Sequence, residues 1–564
     1  MLNDKQRKVA YELIGNTIVS ASPGTGKTKT LIARAERKLE SLPKHKSLAL
    51  ITYTNAGADE IASRLVSEED NIFIGTIHRF CLQFILRPYV WLYNWDKPRI
   101  ITFDELKEFF EINEWLVLGD NKFEELGKIK YGLDGKLDLS IKWSHNISIE
   151  KVAETYFQYL LSKGAIDFNE ILYRSYKIIS ENDFVVTSLA NKFYEISIDE
   201  FQDTNVYQYE ILKTINTKSK CTFFIVGDEK QKIYRFAGAI DNAFISAKND
   251  FSCEIENLDI TYRSTTNIIN AYSCLYDNHP LLENNSKYKD ISKPLLFIQT
   301  GRDNTNDLIQ YYIVKIIKKY NIPLNEIAIL TNSWIEAFFI SKHLRKTFQI
   351  VGLGALPHKS FSSSTFSLIK SISRFILKPC IRNLRTIRRD VEFHALENNL
   401  IFNEKDITIA TNNLISKITS VEKTIFLVEG LKELKSIFNL IFKINHSSFD
   451  ELILAINDDE SGYWDLLKYM MTVSGVDGIT VNTIHQAKGL EYEVVILNNV
   501  SEGRIPYQSW NYKLKQRDPL TSDNLIDGQA KLYVGISRAK EILIITYNGN
   551  PSLFIPVVKA TLDK

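Results

Sequence analysis

The chain has 564 residues, 45% of them apolar, and carries 69 basic against 68 acidic side chains for a formal charge of +1. This length exceeds a single hydrophobic core and divides into about three to five domains, while the balanced charge leaves any grip on phosphates to local patches. The five cysteines (Cys81, Cys221, Cys253, Cys274 and Cys380) are scattered and no window approaches the ~20 apolar residues that span a bilayer, which excludes a disulfide framework, a cysteine-bound metal module and a membrane span. A soluble cytoplasmic protein with reduced thiols is expected.

In chain order, NTIVSA (16–21) reads as a short buried strand that runs into ASPGTGKT and a helical stretch, and SLALITYT (47–54) as a second strand. Helical spacing then dominates roughly 85–190. EISIDE (195–200) and CTFFIVGD (221–228) resume the strands, and EIAILT (326–331) begins a second set of the same type. Another helical stretch, roughly 355–465, precedes GITVNTIH (478–485), EVVILNN (493–499) and EILIITY (541–547). Short apolar runs alternating with helical periodicity predict parallel sheets with crossover helices. The economical architecture is α/β with two cores: residues 1–84 and 191–272 build the first, 273–354 and 466–564 the second, and 85–190 and 355–465 are mainly helical insertions.

The loop Ala21-Ser22-Pro23-Gly24-Thr25-Gly26-Lys27-Thr28 sits between strand and helix, the context a phosphate-binding loop requires. Gly24 and Gly26 let backbone N–H groups curl around an anion, and the helix presents its positive end to it. Lys27 can reach the β- and γ-phosphates and the Thr28 hydroxyl can ligate Mg²⁺. The general pattern has a glycine where this chain has Ala21. A Mg²⁺–ATP site also needs a carboxylate on the ion and a base for water. Asp199 and Glu200, ending the strand EISIDE, supply both, with Asp199 on the metal. A strand ending in Asp-Glu is by itself most often a solvated strand end; it gains meaning from Gln202-Asp203 and from Gly227-Asp228, which precede Gln231, a candidate γ-phosphate sensor.

These segments, in this order, resemble the UvrD/Rep/PcrA-like superfamily 1 helicases almost end to end. LNDKQRKVA (2–10) is similar to the adenine-reading Q motif, so Gln6 is expected on the base edge. ITYTNAGADEIASRL (51–65) and GTIHRF (75–80) look like the two segments by which the first core touches single-stranded DNA, and IDFNEIL (166–172) like the return from the first insertion. IDEFQDTNVYQYEIL (198–212) is similar to the Walker B segment, and VGDEKQKIYRFAGA (226–239) to the motif after it. LDITYRST (258–265), ITVNTIHQAKGLEYEVVIL (479–497) and LYVGISRAK (532–540) complete the set. The resemblance implies two RecA-like P-loop cores and an ATP- and Mg²⁺-dependent motor that moves 3′ to 5′. It places Tyr262 on adenine, Arg263 and Arg538 on the γ-phosphate and Glu491 on the ribose. Either arginine alone would read as a surface ion pair; across two cores, each can stabilise transition-state charge only when the cores close. Thr52, Thr54, Asn55, Thr76, His78 and Thr483 are the candidate contacts to DNA, with Tyr234 and Phe236 as the best stacking platforms and core packing as their alternative. His485 and Lys488 receive no role.

The sequence departs from the family in three places. Phe236-Ala237-Gly238-Ala239 stands where the family has W-R-G-A, Asp527-Gly528-Gln529-Ala530 stands where it has E-E-R-R, and ITYNGNPSLFIP follows the last motif without an Arg-rich, aromatic strand-separating pin. These differences point to ATP hydrolysis more firmly than to duplex unwinding. The short insertions and the end of the chain resemble the helicase-like subunit of Gabija anti-phage systems, which implies a prokaryotic cytoplasmic protein acting on single-stranded or tailed DNA beside a separate nuclease. The alternatives are a DNA- or nucleotide-sensing ATPase that licenses a nuclease with little unwinding, and a DNA-repair helicase.

Overall fold

The computed structural model describes residues 2–65, 71–119, 122–140, 143, 145–235, 238–291, 294–301, 304–358, 363–456, 464–511 and 514–562. Two six-stranded sheets organise it, both parallel throughout. The first contains β1 (Thr17–Ala21), β2 (Ser47–Thr52), β3 (Ile72–Thr76), β4 (Phe193–Ile198), β5 (Thr222–Gly227) and β6 (Ile255–Leu258), in the order β3-β2-β4-β5-β1-β6. The second contains β7 (Leu295–Thr300), β8 (Ile327–Thr331), β9 (Ile350–Val351), β10 (Ile479–Thr483), β11 (Tyr492–Leu497) and β12 (Ala539–Asn548), in the order β7-β12-β11-β8-β10-β9. This is the expected pair of α/β cores.

The strands are short and rich in β-branched residues because helices cover both faces, and such strands become continuous apolar runs. Leu48, Ala49, Leu50, Ile196, Phe223, Phe224, Ile225 and Val226 are all buried. Parallel strands all point their C-terminal ends to one edge of a sheet, where the loops that bind ligands gather. Thr52 and Thr76 are register partners at that edge of the first sheet, as are Thr331 and Thr483 in the second. Inside the first core, Arg34 on the helix Lys27–Leu39 donates two hydrogen bonds to Glu195 of β4 (2.9 and 2.8 Å) and others to the carbonyls of Val9 and Leu13. This buried fork fixes the helix behind the phosphate loop against the sheet and the N-terminal turn.

The apolar clusters redraw the division made from the sequence. Between β3 and β4, a separate cluster holds residues such as Phe109, Leu126, Val152, Tyr156 and Leu160, but Ile171, Ile178, Val185 and Leu189 pack on the first sheet. The independent part of the stretch 85–190 is therefore its middle. The helix Thr266–Ser273, grouped by sequence with the first core, buries Ile268, Ile269 and Tyr272 against Tyr533 and Val558 of the second. Likewise the helix Leu466–Ser474 joins the second insertion's cluster through Tyr469 and Met470. An amphipathic stripe announces a helix and leaves open which neighbour covers it. No helix among the described residues is long and apolar enough to cross a membrane.

Within the second insertion, the His394 and His446 rings lie parallel, 14° apart, with Nε2 atoms at 2.9 Å. Burial pushes His446 down to about 4 and His394 well below its ordinary value, so both are neutral at pH 7. In the unfolded chain each would take up a proton near pH 6.5, so this part of the stability is intact above that pH and is lost as pH falls from there toward 4. His446→Gln should flatten the acid side of a urea-midpoint-versus-pH curve by on the order of 1–3 kcal/mol.

Candidate nucleotide and nucleic-acid site

Ala21 closes β1, and after the turn at Ser22–Gly26 the residue Lys27 opens its helix. Gly24 and Gly26 have φ of +76° and +84°, the left-handed region where a side chain is strained. A Cβ on Gly24 would lie 2.5 Å from Arg263 Cβ, and one on Gly26 would lie 2.6 Å from Gln6 Nε2. Conformation and space thus both require glycine. The loop is held from outside: Thr261 Oγ1 donates to Pro23 O (3.0 Å), the Tyr262 N–H to Gly24 O (2.9 Å), and Gln6 Nε2 to Thr25 O (2.8 Å). Gln6 Oε1 accepts the Asn3 N–H at 3.0 Å, so both ends of this amide lock the N-terminal turn to the loop. The Tyr262 ring is 37% exposed and its hydroxyl accepts from Asn3 Nδ2 at 2.9 Å. At the centre, Lys27 Nζ is buried without a hydrogen-bond partner. A buried ammonium with nothing to bind is costly, so this atom marks a place for an anion.

Facing the loop, Thr28 Oγ1 donates to Asp199 Oδ2 at 3.5 Å. Burial and the neighbouring Glu200 push the Asp199 carboxyl up, with Lys27 opposing. Glu200 sits at φ +56°, a conformation uncommon for a side chain and typical of functional turns. Burial disfavours its charge, but Lys488, Lys27, a hydrogen bond from Gln202 and Arg538 together hold its carboxyl below the usual range. Among the described residues no three carboxylate, histidine or cysteine side chains cluster to cage an ion. The glycine cradle and the buried ammonium fit a phosphate chain, and the Thr28–Asp199 hydroxyl–carboxylate pair fits magnesium, which takes one or two protein ligands beside substrate phosphates.

The second core closes this cleft. Arg538, 2% exposed, donates to Gln231 Oε1 (3.1 Å) and to the carbonyls of Val534 (3.0 Å) and Leu490 (3.2 Å), while Gln231 Nε2 donates to Asp228 Oδ2 (2.8 Å). Arg263 Nε donates to Glu491 Oε2 (2.7 Å) and its Nη1 to Ser537 O (3.0 Å). Lys27, Asp199, Glu200, Gln231, Arg263, Glu491 and Arg538 therefore converge at one intercore cleft. Lys488, left without a role by the sequence, joins them: its Nζ is paired with Asp203, lies 3.5 Å from Glu200 and donates to Gln231 O at 2.9 Å. No local pattern marks it, since Asp203 lies 285 residues away. Lys488→Met should lower ATP turnover about tenfold or more without weakening nucleotide binding, because it leaves Asp203 buried without its counter-ion; steady-state kinetics beside a nucleotide titration checks this.

The candidates for nucleic acid divide. Thr54 and Thr76 cap the helices Asn55–Arg64 and Ile77–Cys81, accepting from the N–H groups of Gly57 and Arg79, and Asn55 is exposed beside them. Thr52 is only 2% exposed, with Oγ1 where a Gly57 Cβ would lie 2.6 Å away, so it stays beneath that surface. His78 packs edge-on to Phe168, and burial pushes it down to about 4. The Tyr234 ring lies 4.6 Å from that of Tyr53, tilted by 34°, and its hydroxyl donates to His485 O at 3.3 Å, which sets it at the seam between cores. Thr483 ends β10 and exchanges hydrogen bonds with Gln486. Phe236 lies outside the described residues.

Residues 2–252 match the family model of the UvrD/REP helicase N-terminal domain, and residues 427–550 that of the UvrD-like helicase C-terminal domain. A probable DNA helicase II homolog of Rickettsia felis is 25% identical, the match covering 99% of this chain and 94% of the relative. An ATP-dependent DNA helicase Rep of Buchnera aphidicola is 26% identical over 97% of this chain and 94% of its own length. A probable DNA helicase II homolog of Mycoplasma genitalium is 24% identical over 97% and 84%. With two parallel-sheet cores meeting at the phosphate loop and both halves matched in order, the chain belongs to the UvrD/Rep family of superfamily 1 DNA helicases, which are ATP-dependent hydrolases.

Proposed function

We propose that the chain couples ATP hydrolysis to 3′-to-5′ movement along single-stranded DNA in a prokaryotic cytoplasm. The observation that carries this reading is the cleft itself: an orphaned lysine on one core faces arginine, glutamate and lysine side chains that cross from the other. In this reading the loop 21–28 wraps the phosphates, Lys27 neutralises them, Gln6 and Tyr262 take the adenine and Glu491 the ribose. Thr28 and Asp199 would hold Mg²⁺, which would supply charge neutralisation to the bound phosphates. Glu200 orients the attacking water and accepts its proton on a carboxylate oxygen. Arg263, Arg538 and Gln231 stabilise the charge that develops, so turnover requires closed cores. Thr54, Asn55, Thr76, His78, Thr483 and the aromatics Tyr234 and Phe236 grip the strand in alternation as the cleft opens and closes.

The test is ATPase activity with and without single-stranded DNA, beside nucleotide binding. DNA should stimulate turnover strongly, and Lys27→Ala should weaken ATP binding by about 10–100-fold through loss of its charge-assisted bonds. An unchanged rate on adding DNA to folded protein would end this reading.

A narrower reading, an anti-phage subunit that works with a separate nuclease and reports DNA ends with little unwinding, draws on Ala237 in place of arginine, on Asp527-Gly528-Gln529-Ala530 and on the absence of a pin segment after the last motif. Strand displacement on a 3′-tailed duplex, with and without proteins that co-purify from the native cell, separates it from a repair helicase. Vigorous unwinding by the isolated chain counts against it.

A further inference from the structure

Away from the intercore cleft, a cavity of about 470 Å³ lies between the two helical insertions. That volume falls in the range of about 300–1,000 Å³ typical of small-molecule sites. Its walls come from both sides: Phe123, Tyr156 and Phe168 from the first insertion and its return, and Ser364, Asn398 and Ser448 from the second. Three carboxylic acids also face it, Asp167 from the first side and Glu397 and Glu451 from the second, and no Lys or Arg is among the described residues lining it.

Burial pushes all three acids up to about 7; the hydrogen bond from the Glu170 N–H opposes it at Asp167 and hydrogen bonds from Ser364 oppose it at Glu397, while at Glu451 Asp104 adds to it and Lys107 opposes it. Near neutral pH the protonated fraction of each offers an O–H donor, although Asp167 Oδ1 already accepts the Glu170 N–H (2.8 Å) and Glu397 Oε2 the Ser364 N–H (3.2 Å). Asn169 and Asn398 add amide oxygens to the same wall, their Nδ2 atoms already donating to Gly127 O (2.8 Å) and His394 O (2.8 Å). His446 in the floor is neutral and already bonded to His394 and Asn439. A wall without cations rejects a phosphate, while aromatic faces with paired donors and acceptors suit a flat, uncharged heterocycle.

We propose that this cavity binds a nucleobase, with its sugar–phosphate left outside. The position agrees with a base that arrives on a strand. Phe168, which lines the cavity, packs edge-on at 5.6 Å against His78, in the segment proposed above to touch DNA. A base unstacked from that strand, or the base of a free nucleoside, presents the same chemistry, and an unpaired base has little stacking to lose. The strand-borne form of the idea rests on the proposed DNA path; the nucleoside form does not.

The experiment uses the full chain, the four deoxynucleosides in calorimetric titrations, and a single-stranded oligonucleotide carrying 5-bromouracil for photocrosslinking. Two variants accompany it: Ser448→Trp, which fills the cavity, and Glu451→Gln, which keeps the shape and removes the ionisable acid. Saturable binding of a nucleoside, weakened about tenfold or more by Ser448→Trp, supports a free ligand. Crosslinks that map to Phe123, Tyr156 or Phe168 and vanish in Ser448→Trp, without nucleoside binding, support a strand-borne base. Glu451→Gln should change which base is preferred while binding persists. The proposal is overturned if nucleosides at millimolar concentration give no heat and no crosslink maps to the cavity, if Ser448→Trp leaves both signals unchanged, or if spermidine binds there and nucleosides do not. DNA-stimulated ATPase, measured on the same samples, should stay within about twofold in Ser448→Trp; a wild-type chain that DNA fails to stimulate would remove the motor reading instead.

Discussion

Arg538→Ala should lower DNA-stimulated ATP turnover by about 10³–10⁵-fold while ATP still binds, the range seen when an arginine that meets transition-state charge is removed. Burial and the Arg263 guanidinium push Arg538 down to about 10, still fully protonated at pH 7. A cation kept 2% exposed beside another arginine is electrostatically expensive, and the arrangement becomes favourable once a polyanion lies between Lys27, Arg263 and Arg538. Alanine would also strand Gln231 Oε1 and the carbonyls of Val534 and Leu490, so loss of folding must be separated from loss of chemistry. Arg538→Lys does that: it keeps the charge, loses the planar fork, and should still fall at least about 100-fold in turnover with an unchanged melting temperature. Because Gln231 and Arg538 share a hydrogen bond, combining Arg538→Lys with Gln231→Ala should cost clearly less than the sum of the two single changes. Turnover of the folded lysine variant within about tenfold of the parent would refute the assignment.

The phosphate loop is legible in the sequence because its constraint is local: Gly24 and Gly26 stand at positive φ where a neighbouring atom already occupies the space of a Cβ. Strands β1, β2, β4 and β5 are legible for a similar reason, being unbroken apolar runs between turns. β9, with two residues, and β3, inside a segment dominated by its polar end, carry too little pattern to be read. Long-range choices are the least visible. Nothing in the helix Thr266–Ser273 says that its apolar face meets Tyr533, and nothing around Lys488 says that Asp203 is its partner. The arginines are legible because they fall in segments that resemble a known family; the cavity between the insertions is not, because only the segment 166–172 of its walls resembles the family and its partners Ser364, Asn398 and Ser448 lie more than 190 residues further along the chain.

Glu200→Gln is the sharper probe of chemistry, since it changes one atom's charge and almost no volume. The variant should bind ATP and DNA as well as the parent or better, while turnover falls by about 10²–10⁴-fold, the usual effect of removing a general base. The backbone at φ +56° is unaffected by the exchange, and the Lys488 ammonium keeps its contact with Asp203, so the cleft should hold its shape. What disappears is the acceptor for the water proton, and with it the reason for Lys488, Lys27 and Arg538 to hold this carboxyl ionised. The folded variant should therefore accumulate bound ATP on single-stranded DNA, visible as slow release in a pulse–chase filter assay. Rapid hydrolysis with release of ADP would move the base to another group. Aspartate at the same position tests reach separately from charge, because it restores the acceptor one methylene short. Partial recovery over the glutamine variant would place the proton transfer at residue 200, and a rate no better than glutamine's would mean that orientation of the water, more than basicity, limits the step.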